Sequence, residues 1–182
     1  MTKVNENANK FLSDFKNKLV KGVNVCKLGK VVRFYPETMK ADVIPLPSED
    51  NAMLINVPVA TLKSSDFVIY YPLKAGDHVV LLFADNDTDN ILLGEDSTST
   101  ERGHDVSDCV LIGGINLLNN SLNIADSSSL SIQNTNNSCS IVVSSSGEIT
   151  LKGDIKIEGH ATYNGREIAV KGDTTSDGAS IV

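Results

Sequence analysis

Between Asn116 and Gly147 the chain carries a single charged residue, Asp126, in a run dominated by Ser and Asn. Such low complexity often accompanies disorder. Here it is broken by apolar pairs of period two: Leu122 and Ile124, Leu130 and Ile132, and Ile141 and Val143. Beyond Gly147 come Ile149 and Leu151, then Ile155 and Ile157. Period two places each pair on one face of a short strand, and the recurrence marks a stacked repeat rather than a linker. A single row of short strands has one thin apolar face and two open edges, so one chain cannot bury these pairs. Three copies around a common axis can. Each pair then points inward, each strand edge meets a neighbouring chain, and Ser and Asn fill corners and the outer face. The expectation is an obligate homotrimeric, intertwined triple-stranded β-helix over residues 115–159. About six strands per chain, stacked at ~4.8 Å, make a shaft of about 30 Å.

Upstream, residues 23–114 read as all-β. "GKVVRFY", "KADVIPL", "MLINVPVATL", "DFVIYYPL" and "HVVLLF" are strand-like runs separated by turn signals. About five strands at this spacing suggest a small sandwich or an OB-type Greek-key barrel. Residues 1–22 hold an amphipathic helix: Val4, Ala8, Phe11, Leu12, Phe15 and Leu19 follow its period. Lys18 and Lys21 fall in its last turn, and Gly22 stands where a C-terminal cap belongs. The apolar stripe packs either on its own domain or on a partner subunit. Residues 160–182 form a compact tip, in which Asn164-Gly165 is a strong two-residue hairpin signal.

The formal net charge of −7 and the few aromatics exclude a protein that wraps nucleic acid. Cys26, Cys109 and Cys139 have no metal-ligand spacing and read as reduced thiols. The first ten residues lack an apolar h-region, so no signal peptide is expected.

Three stretches, in order, resemble the central spike proteins of bacteriophage baseplates. They are "GKVVRFYPETMKADVIPL", "PLKAGDHVVLLFADNDTDN" and "ERGHDVSDCVLIGG", followed by the Ser/Asn-rich repeat and a terminal hairpin. The resemblance implies a homotrimer at the tip of a phage tail or tail-like bacteriocin, made in the bacterial cytoplasm. It implies an OB-fold collar that attaches to baseplate or tail hub proteins, a β-helix shaft, and an apex that meets the host cell envelope. In that arrangement the trimer core is Leu122, Ile124, Leu130, Ile132, Ile141, Val143, Ile149, Leu151, Ile155 and Ile157. The apex is His160, Asn164, Gly165, Ile168, Val170, Ile181 and Val182. The alternative is a receptor- or glycan-binding tail-tip module using Tyr70, Tyr71 and Tyr163.

No enzyme activity and no cofactor are expected. Many such spikes end in His-x-His and hold one iron between three chains. This sequence has only Gly159-His160-Ala161, so iron or zinc at His160 on a threefold axis is disfavoured. Asp85, Asp87, Asp89 and Asp96 match calcium-loop spacing, but Asn90 stands where that loop needs Gly. The favoured reading is a solvated hairpin tip between "VVLLF" and "ILLGE". His104, Asp105, Asp108 and Cys109 bring acid, base and thiol together without an oxyanion loop, and read as a hydrogen-bonded cap on the domain. "GDTTSDG" lacks the Lys of a phosphate loop.

Overall fold

A computed structural model describes residues 7, 9–16, 22–159 and 161–167. The expectations for Val4, Ala8, Lys18, Leu19, Lys21, His160, Ile168, Val170, Ile181 and Val182 concern positions outside the described residues. The chain is mainly β and divides into two compact units, residues 1–120 and 121–182.

In the first unit, residues 9–16 are helical, and Phe11 and Phe15 stack one turn apart with ring centroids separated by 6.2 Å. Gly22 keeps helical backbone and does not act as the cap expected of it. Seven strands follow: β1 Cys26–Tyr35, β2 Lys40–Pro45, β3 Leu54–Ala60, β4 Leu62–Lys63, β5 Val68–Ile69, β6 His78–Phe83 and β7 Cys109–Gly114. Five of them close a barrel in the order β1-β2-β3-β7-β6, with β6 returning to β1. The β3–β7 pair is parallel and the other pairs are antiparallel. Of the two forms open from sequence, the barrel is therefore the one adopted.

Alternation dictates what fills it. In β6, Val79, Leu81 and Phe83 point inward, and in β7 Cys109 and Leu111 do. With Val31, Ala41, Val43, Val57, Val59 and Leu73 they form one core of small branched side chains. Gly29 is the tight point. A Cβ there would lie 2.7 Å from Val43 Cγ1 and 2.8 Å from Leu81 Cδ1, so β1 approaches these two side chains only as glycine. The run "DFVIYYPL" contributes little ladder. Only Val68 and Ile69 pair, with Lys63 and Leu62, in an exposed hairpin outside the barrel.

The second unit contains β8 Leu130–Gln133, β9 Ser140–Val143 and β10 Ile149–Lys152, an antiparallel sheet in the order β10-β9-β8. A small hairpin follows, β11 Thr162–Tyr163 and β12 Arg166–Glu167. Its turn residues Asn164 and Gly165 have φ of 50° and 75°, the left-handed pair that a type I′ turn requires.

The repeat departs from expectation in two ways. Leu122-Ile124 and Ile155-Ile157 lie in no strand, so three strands form among the described residues rather than about six. A side chain takes the place of a ladder at the first of these. Gln133 donates from Nε2 to the Asn123 carbonyl and accepts at Oε1 from the Ala125 amide, holding residues 123–125 in place. Second, β9 pairs on both edges with strands of its own chain.

Candidate functional site

The most charged cluster in the first unit sits in the loops around β6 and β7. Arg102 Nη2 lies 3.0 Å from a carboxylate oxygen of each of Asp87, Asp89 and Asp108. Asp87 is fully buried. It accepts from Ser99 Oγ at 2.7 Å, Thr100 Oγ1 at 2.5 Å and the Asp89 amide at 2.9 Å. These hydrogen bonds, led by that from Thr100, hold its carboxyl far below the usual range. Asp108 is also fully buried and accepts from the Thr88 amide and hydroxyl and from Arg102 Nε and Nη2. Burial disfavours its charge, but the bonds from Arg102 and Thr88 outweigh burial and lower its pKa.

The favoured reading of this loop is corrected here. The loop is not a solvated hairpin tip, because Asp87 is buried and Ile91–Leu93 form a 3-10 turn instead of a return strand. The carboxylates must converge on Arg102, which folds the loop back, and the antiparallel partner of β6 is β7. Nor is it a calcium loop of the expected register. Asp87 and Asp89 converge with Asp108, while Asp85 and Asp96 lie outside that group. Arg102 supplies positive charge where a cation would have to sit. Sequence reasoning missed this residue, although an Arg between two Asp-rich runs is the available signal.

The cluster at 104–109 is a cap on the domain. His104 Nδ1 lies 3.2 Å from the Asn24 carbonyl, and the Asn24 side-chain amide donates to the His104 carbonyl. Asp105 accepts from Ser107, whose hydroxyl bond chiefly lowers its pKa. Cys109 points into the core, and burial pushes its thiol up to about 12. A protonated, enclosed thiol and an Arg-bound carboxylate are poor material for a nucleophile and its base.

The second unit presents a different kind of surface. Its register sets Ile132 opposite Ile141 and Leu130 opposite Val143; Leu151 and Ile149 stand opposite the same two β9 residues from the other side. Six apolar side chains thus share one face of the sheet, and all are exposed, from Val143 at 41% to Leu130 at 69%. Leu122, Ile124, Ile155 and Ile157 are exposed as well. On the opposite face Ser140 is buried, where sequence reading placed it in solvent. It starts the central strand and pairs with Gln133 and Lys152 at one end of the sheet. Asp126 lies outside the strands and is bound by Ser129 and by the Ser128 hydroxyl and amide, bonds that lower it to about 2.

Residues 28–114 match the family model described as Phage protein Gp138 N-terminal domain. The likeness to this phage protein domain covers 87 of the 182 residues. It runs from Leu28 in β1 to Gly114 at the end of β7, so it covers the closed barrel together with the Arg102 cluster and stops before the repeat. No curated protein matches the chain.

Proposed function

We propose that this protein is the central spike at the tip of a phage tail or tail-like bacteriocin. In this reading the barrel is an OB-type collar that attaches to the baseplate hub. Three copies of the second unit form the shaft, and residues 160–182 close the apex that meets the host envelope. The observation that carries the proposal is the one-sided sheet of the second unit. Its six paired Leu, Ile and Val side chains carry no charge and have no cover among the described residues of one chain. Covering the exposed half of each gains about 1 kcal/mol, before the cost of association. Three such faces turned to a threefold axis bury one another. The antiparallel sheet of each chain then supplies one side of a three-sided β-helix, and the outer edges of β8 and β10 meet neighbouring copies. Leu122, Ile124, Ile155 and Ile157 extend the same core above and below.

The role is mechanical rather than enzymatic. The buried Cys109 thiol and the Arg102-bound carboxylates support that reading. This reading includes no stoichiometric metal at His160. Elemental analysis of the trimer tests this: iron or zinc at one per trimer, lost on His160→Ala, overturns it. Removing residues 160–182 should leave the barrel folded but yield aggregating shafts and inactive particles. A soluble, active truncation would remove the apex from the mechanism.

A receptor- or glycan-binding role is the second reading. Exposure of Phe67, Tyr70 and Tyr71 in the first unit and of Tyr163 in the second favours it, since sugars stack on open aromatic rings. A glycan array probed with intact trimer separates the two readings. Specific binding lost on Tyr70→Ala favours recognition, and no binding favours the spike.

A further inference from the structure

The outside of the barrel is apolar where a monomer would place polar groups. On β1, Cys26 and Leu28 point outward; on β6, Val80 and Leu82; on β7, Val110 and Ile112. The ladders set them in two rows across three neighbouring strands. Leu28 stands opposite Val80 and Val80 opposite Ile112, while Cys26 stands opposite Leu82 and Leu82 opposite Val110. Leu28 is 50% exposed, and Leu82 and Ile112 are exposed with it. The next row along is charged or polar, with Lys30 opposite His78. The patch therefore has one defined rim.

The same unit carries an apolar surface of matching size. Phe11, Leu12 and Phe15 lie on one side of the helix at residues 9–16, with Phe11 68% exposed. Four residues of helix advance about 6 Å, and the two rows of the barrel patch are about 7 Å apart. Asp14, beside Phe15, offers a carboxylate to the cationic rim at Lys30. In one chain neither surface covers the other, since both remain open to solvent.

We propose that the N-terminal helix of one copy docks on the β1–β6–β7 exterior of a second copy. This contact rests on the trimer reading and adds to it a second interface, separate from the shaft. Each copy has one helix and one patch, so the contact is head-to-tail and a threefold ring closes it with no surface left over. Phe11 and Phe15 span the two rows, Leu12 fills between them, and Asp14 pairs with Lys30. The collar is thereby clasped independently of the repeat.

Cys26 lies within the patch and makes the contact testable in the full chain. In a Cys139→Ser background, Phe11→Cys or Leu12→Cys is oxidised with copper phenanthroline and run on a non-reducing gel, with light scattering on the same sample. The expected result is a covalent ladder ending at three chains, lost on Cys26→Ser and weakened by Leu28→Glu. A disulfide confined to one chain overturns the contact. So does a trimer by light scattering in which neither cysteine position cross-links above the Cys26→Ser control. A monomer by light scattering overturns the trimer reading itself and this contact with it.

Discussion

Ile132 stands directly opposite Ile141 across the β8–β9 ladder, and both are exposed. Leu151 meets Ile141 from the other strand, so the centre of this face is three large aliphatic side chains wide. Neighbouring Thr150 lies on the opposite face, opposite Val142, and is also exposed. The adjacent residues Leu151 and Thr150 therefore make a matched test. Leu151→Asp places three carboxylates around one axis without partners and should abolish trimer yield. Thr150→Asp should leave it nearly unchanged. Equal yields by size-exclusion chromatography would mean that this face is not the trimer core.

The barrel should be intolerant at Gly29. A methyl group there must displace Val43 or Leu81, both fully buried. Gly29→Ala is expected to cost about 1–3 kcal/mol of barrel stability, as overpacking of a filled core does. Denaturant titration followed by circular dichroism reads this directly.

Arg102 should matter as a structural counter-ion. Arg102→Leu strands the buried carboxylates Asp87 and Asp108 and should lower the melting temperature of the barrel clearly. Adding Asp87→Asn should recover part of that loss, because removing one charge of an unpaired set relieves it. A double variant less stable than the single one would contradict the arrangement.

The same carboxylates set the acid response. Asp87 and Asp108 have folded pKa values below the ordinary value of about 3.9. Their stabilisation is complete above that ordinary value and is lost as pH falls toward the folded values. Melting temperature should therefore be insensitive to these groups from pH 5 to 8 and drop below about pH 4. Asp108→Asn should flatten the drop while lowering the plateau.

Cys109 should stay inert to a thiol reagent at pH 8 in the folded protein and react only on unfolding. Its burial and its pKa near 12 leave almost no thiolate. Mass mapping of labelled peptides checks this residue by residue.

The barrel was legible in the sequence because its strands alternate. Val79, Leu81 and Phe83 announce an inward face, and the Pro and Gly turns separate the runs. The Asn164-Gly165 turn was legible for the same local reason. The Arg102 cluster was not, because Asp87, Asp108 and Arg102 converge only after the loops fold back, and sequence spacing suited calcium equally well. The repeat was half legible. Period two gave the shared face of Ile132, Ile141 and Leu151, but not that Gln133 would hold residues 123–125 through its side chain in place of a strand. Nor did it disclose the outward apolar rows on β1, β6 and β7, since alternation looks identical when the second face is also apolar.

In the proposed trimer three chains cover one another's apolar sheet faces. Light scattering of the purified full-length protein at micromolar concentration tests it most directly. The expected mass is three times that of the 19.5 kDa chain, persisting on dilution. A well-folded particle with the mass of one chain would contradict it.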